Sequence, residues 1–146
     1  MVMISIIASL AALSISVNKN KQLETLTYQL TNTLNLAQQE ALLRSTTLGL
    51  VVSKNSFQFY QVGVKENTWE GMSDSLLGLK HIPKDIKVTL KIQNKIVSGA
   101  PPKLIISGSG EITPFTLYVG KEGSPPLYKI IGEPNGHIKS EMIHAN

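Results

Sequence analysis

His81, His137 and His144 are the residues of this 146-residue chain best suited to acid–base or metal chemistry, and their spacing argues against both. None belongs to a His-Glu-x-x-His pair, and none lies in a stretch that reads as helix, so the acids three or four residues away are not brought to one face with it. His137 follows Asn135-Gly136, a turn signal, and reads as a surface residue. Gly108-Ser109-Gly110 has the small residues of a phosphate cradle, but no P-loop pattern surrounds it. Pro114 and a strand follow it instead of a helix N-terminus, so a tight turn is expected. No Gly-x-Ser-x-Gly elbow is present. The chain has no cysteine, which excludes thiol catalysis, disulfides and thiolate metal sites. No catalytic residue, metal or cofactor is expected, and the chain reads as a non-enzyme.

Charge offers a different chemistry. Lys80, Lys84, Lys87, Lys91, Lys95 and Lys103 lie in one stretch with a single acid, Asp85, and the whole chain carries a net charge of +4. Lys87, Lys91 and Lys95 share a face if their strand continues, a stripe able to meet phosphates. No arginine fork or interleaved aromatic accompanies it, and outward lysines also protect a strand from edge pairing. Nucleic acid is therefore disfavoured as a partner.

The elements that carry these residues divide the chain at about residue 45. Met1 to Val17 contains no charge. As a helix it would rise about 25 Å, a little short of the roughly 30 Å hydrocarbon core of a membrane. A secretory signal would need a basic segment before the apolar run. Asn18 to Lys21 end the run, and no proline or glycine occurs before Gly49, so one continuous helix to Arg44 is expected. From Leu23, the residues Leu26, Leu30, Leu34 or Thr33, Ala37 and Ala41 recur at steps of three and four, a stripe that suits packing on a soluble domain. Gln22, Glu24, Gln29, Asn32, Asn35, Gln39 and Glu40 fill the other positions. The repeat is too short for a coiled coil.

After Ser45 the period falls to two. Leu48 to Ser53, the turn Lys54-Asn55-Ser56, and Phe57 to Val62 predict a hairpin with Phe57, Phe59 and Gln61 on one face. Residues 63 to 85 read as loops and turns around Trp69, Gly71, Gly78 and Pro83. Ile86 to Ile92 predicts a strand with Ile86, Val88, Leu90 and Ile92 inward. Gly99-Ala100-Pro101-Pro102 breaks the chain and Lys103 to Ser107 resumes it. Phe115 to Val119 and Leu127 to Ile131 form a last pair, and the tail from Gly132 is polar. Pro114 and Phe115 read as a strand entry and a core anchor. The fold class is α+β: a long N-terminal helix, apolar in its first half and amphipathic in its second, packed on an antiparallel sheet domain of about six or seven strands.

These residues together resemble the pilin-like proteins. The most specific match is Gly110-Glu111-Ile112-Thr113-Pro114-Phe115-Thr116-Leu117, which is similar to the Gly-x-x-Thr-Pro-Phe-x-Leu stretch of the general secretion pathway protein H family, minor pseudopilins of type II secretion. Ala37-Gln38-Gln39, Arg44, the Gly-Leu-Val-Val strand, Tyr60, Trp69-Glu70-Gly71, and Gly136 followed by Ile138 in a closing strand agree with that order. The family's basic leader, cleavage site and helix-start glutamate have no match, so the chain reads as beginning about ten residues inside the family's helix.

The resemblance implies a structural subunit of the type II secretion pseudopilus that helps export folded proteins across the outer membrane. It implies a single pass through the bacterial inner membrane, with the C-terminal domain in the periplasm. Residues 1–17 would be the membrane and pseudopilus-core half of the helix, with Ile4, Ile6, Ile7, Leu10, Leu13, Ile15 and Val17 as its assembly face, and 18–146 the periplasmic domain. Gly110, Glu111, Thr113, Pro114, Phe115 and Leu117 would be structural markers of the family. The implied partners are other pseudopilins, the inner membrane and exported proteins. The alternative is a minor type IV pilin of the FimT/FimU class, acting in pilus assembly or DNA uptake. The DNA-binding members of that group carry a C-terminal arginine motif, and Gly132 to Asn146 contains no arginine.

Overall fold

The computed structural model describes residues 2–63, 65, 68–74 and 76–143, with side chains in the helix described from Asn20 onward. The absence of proline and glycine before Gly49 has the expected result: one helix, α1 (Val2–Arg44), about 65 Å long. It stops in a Schellman-type cap. Ser45 takes a left-handed φ of 49°, and the Thr46 amide reaches back to the Ala41 carbonyl at 3.0 Å. Among the described residues no helix is long and apolar enough to cross a membrane.

The strands are β1 (Leu48–Val52), β2 (Ser56–Val62), β3 (Trp69–Gly71), β4 (Lys80–His81), β5 (Ile86–Ile92), β6 (Lys95–Val97), β7 (Leu104–Ile106), β8 (Phe115–Lys121), β9 (Tyr128–Gly132) and β10 (Ile138–Met142). Six of them have five residues or more. They form two antiparallel sheets, one ordered β3-β2-β1-β7 with β4 also on β2, the other β10-β9-β8-β5-β6. The expected antiparallel sheet domain is divided in two, because β5 leaves its predecessors and pairs with β8, while β1 takes β7 as its second neighbour.

Three expectations need correction. The segment 63 to 85 is not wholly loop: β3 and β4 line successive halves of β2, and between them the Met72 and Leu77 backbones bond to Phe59. Strands of two or three residues show no alternation for a sequence to reveal. The tail is likewise not simply polar, since β10 closes the second sheet and buries Ile138. Ile138 is the one buried residue of β10, with Ser140 and the half-exposed Met142 following it on the same face, so composition alone conceals the strand that the resemblance implied. The lysine stripe also ends early: the chain reverses at Gln93 and Asn94, both with positive φ, and Lys95 lies opposite Ile92 on β6. Lys95 is therefore on the other side of the sheet from Lys87 and Lys91.

One core joins the layers. The α1 stripe of Leu23, Leu26, Leu30, Leu34, Ala37 and Ala41 is buried against residues of both sheets, including Leu50, Phe59, Leu104, Leu117, Val119 and Ile130. Each large side chain removed from water contributes about 1.5–3 kcal/mol. Thr27, a polar residue on the same stripe, is 3% exposed. Its hydroxyl donates to the Leu23 carbonyl at 2.7 Å, so it enters the core without an unmet donor. Strand β1 is buried on both faces. On its outer side Pro102 and the Trp69 ring press against Gly49, where a Cβ would have no room.

Candidate assembly site

The family-like residues and the end of α1 meet in one place. Gln38, on the half-buried flank of the stripe, sends its Nε2 to the Gly136 carbonyl at 2.7 Å, linking positions 98 apart. Gly136 occupies a turn with φ +92°, and a Cβ there would strike the Gly110 carbonyl and the Gln38 amide. Gly110, at φ +97°, lies beneath Leu42 of the helix. Two glycines and one glutamine thus fix the helix to the two turns that follow β7 and β9.

The Gly108-Ser109-Gly110 turn has its role here. It is closed by the Gly110 amide on the Ser107 carbonyl and by the Ser107 and Ser109 hydroxyls at 2.9 Å. Gly108 lies on the backbone of Ser45 and Thr46, against the C-terminus of α1. That end of a helix repels anions, which removes the phosphate reading on electrostatic grounds as well.

The remaining motif residues secure the strands. Thr113 holds β7 twice: its amide donates to the Ile105 carbonyl at 2.9 Å, and its hydroxyl accepts from the Ile105 amide at 3.1 Å. The edge of the first sheet is covered in this way. Glu111 is exposed, and its carbonyl accepts from the Ser107 amide. Pro114 is exposed immediately before β8. Phe115 is 4% exposed and Leu117 fully buried. The Phe115 ring fills the space where a Cβ of Gly132 would stand, on the neighbouring strand and in register with it.

The histidines take no part in these contacts or lie outside the described residues. His81 is exposed on β4, beside a groove of about 690 Å³ between α1 and β2 that is floored by Leu26 and Phe57. His137 is exposed, its amide bound to the Asn135 side chain. His144 lies outside the described residues, and among those described no group of His, Asp or Glu is placed to hold a metal ion. Ile4, Ile6, Ile7, Leu10, Leu13, Ile15 and Val17 lie on the helical backbone of α1, with their side chains outside the described residues.

The family model described as Type II transport protein GspH matches residues 27–136, from the helix stripe to the glycine that Gln38 holds. The chain belongs to the GspH family. No curated protein matches the chain. Among solved structures, the minor pseudopilin EpsH from the type II secretion system of Vibrio cholerae is similar in two determinations. One has a TM-score of 0.72 at 18% identity, covering 82% of this chain and 94% of EpsH; the other has 0.76 at 17%, covering 86% and 97%. The solution structure of Escherichia coli GspH gives 0.68 at 19%, covering 84% and 89%. At these identities the likeness carries the fold, and the GspH family match carries the role: a minor pseudopilin of type II secretion. The family is one of structural pseudopilins, and the minor type IV pilin alternative is not favoured by it.

Proposed function

We propose that this GspH-family chain is a helix-borne assembly subunit, anchored in the inner membrane by residues 1–17 and presenting residues 18–146 in the periplasm. Ile4, Ile6, Ile7, Leu10, Leu13, Ile15 and Val17 would trade lipid contacts for contacts with the helices of other pseudopilins. An all-apolar helix makes that exchange at little hydrophobic cost, and Ala8, Ser9, Ala11, Ala12 and Ser16 let helices approach closely. The observation that carries this reading is the unbroken α1, whose second half is packed into the domain core while Gln38 holds it to Gly136. A displacement of the apolar half is then a displacement of the whole domain, as a subunit that helps push cargo requires.

The test is a clean deletion complemented by the full chain or by a Leu10→Lys, Leu13→Lys variant. Deletion should abolish release of exoproteins, the full chain should restore it and co-purify from membranes with other pseudopilins, and the variant should do neither. Normal secretion in the deletion strain, or full complementation by the variant, would refute the proposal.

A further inference from the structure

The outer face of the second sheet gathers lysines from three strands, β5, β9 and β10. Cross-strand register places Thr89, Tyr118, Lys129 and Glu141 in one row, and Lys91, Thr116, Ile131 and Lys139 in the next, with Lys87 opposite Gly120 beyond them. At about 4.8 Å between strands and 3.4 Å between residues, Lys87, Lys91, Lys129 and Lys139 cover roughly 14 Å by 14 Å. Lys129 pairs with Glu141 at 3.2 Å. Among the described residues no carboxylate lies within ion-pair distance of Lys87, Lys91 or Lys139. Beside Tyr118 a depression of about 110 Å³ is framed by Lys87, Thr89, Ser124 and Pro126, with Pro126 covering Gly120.

We propose that this face docks an acidic protein surface. Its carboxylates would meet Lys87, Lys91 and Lys139. Three observations favour protein over a phosphate polymer or a lipid surface. The cations spread in two dimensions instead of tracking a line, and arginine is absent from the face. Lys91 stands over the Tyr118 ring at 5.3 Å, so the ring is not open for a base to stack on. Ile131 and the 68% exposed Ile96, which lies opposite Lys91, alternate with the charges and give apolar contacts that phosphates cannot use. The face points away from α1, and in this respect alone the inference rests on the pseudopilin reading: a helix buried among other subunits leaves this side open.

The experiment uses the full chain in zwitterionic nanodiscs at 150 mM salt, titrated with a glutamate–tyrosine copolymer, poly-L-glutamate, duplex DNA of matched charge, and phosphatidylglycerol vesicles. The copolymer should bind most tightly. Lys87→Glu with Lys91→Glu should weaken it at least tenfold, and Lys139→Glu alone at least threefold. Lys65→Glu with Lys103→Glu, the same charge change made on exposed lysines of the first sheet's side, should weaken it less than threefold, all variants melting with the parent. Equal losses in the two double variants, tighter binding of DNA or vesicles, or no copolymer binding by the parent would each overturn the docking face. None of these results bears on exoprotein release, so the inference and the assembly role fail separately.

Discussion

Phe115 and Gly132 show how much a single missing side chain can carry. The ring occupies the volume that any Cβ at 132 would need, so the phenylalanine and the glycine form one structural unit spread over two strands. Gly132→Ala forces overpacking and should cost about 1–3 kcal/mol, and Phe115→Ala about 3–5 kcal/mol through the cavity it leaves. The two effects should not add, because a methyl at 132 falls into the space the ring vacates. Chemical denaturation of the single and double variants measures the coupling; additive losses would show that ring and glycine are independent. The sequence marks Phe115 through the motif around it, but it gives no sign that Gly132 is its counterpart. A glycine before a polar tail reads as an ending, and its requirement becomes visible only when β9 is laid beside β8.

At the level of elements, α1 was legible because its signals are local and repeated: a charge-free run, then apolar residues every three or four positions, with no breaker before Gly49. The strands β2, β5 and β8 were legible for the same reason at a period of two, and β1 as a short apolar run before a turn. β3 and β4 were not, being too short to alternate, and the division into two sheets was not, since it depends on whether β5 meets β2 or β8. Residues of similar β propensity lie on both candidates. The stripe itself is the stronger claim. Leu30 is 1% exposed between α1 and the sheets, so Leu30→Asp buries a carboxylate with no partner and should cost about 3 kcal/mol or more. Thermal unfolding should shift down by about 10 °C for a domain of this size; a variant that melts with the parent would place that helix face in solvent.

For the whole molecule the decisive fact is how the candidate site is assembled. Gln38, Gly110 and Gly136 each belong to a stretch that carries the family resemblance, but nothing in the sequence says that the three meet. Their meaning is positional and arises from contacts across most of the chain. The main strand partners of α1 are β7, β8, β9 and β10, all of which begin at or after Leu104. A chain stopped after Glu133 loses β10 and the acceptor for Gln38, and should be cut within α1 by a protease that leaves the full chain intact. Equal resistance of the two would show that the helix docks without its closing strand.

That dependence sets an order of events in time. The helix is the first element to be synthesised, and the surface it packs on is nearly the last, so closure waits on contacts of long sequence separation. Until β7 to β10 exist the Leu23, Leu30 and Leu34 stripe lacks most of its cover, and exposed apolar surface of that kind makes a chain prone to aggregate. Withdrawal of that stripe on arrival of Gly136 and Ile138 therefore acts as a completeness check. An unfinished subunit would keep that stripe exposed, and a finished one would not.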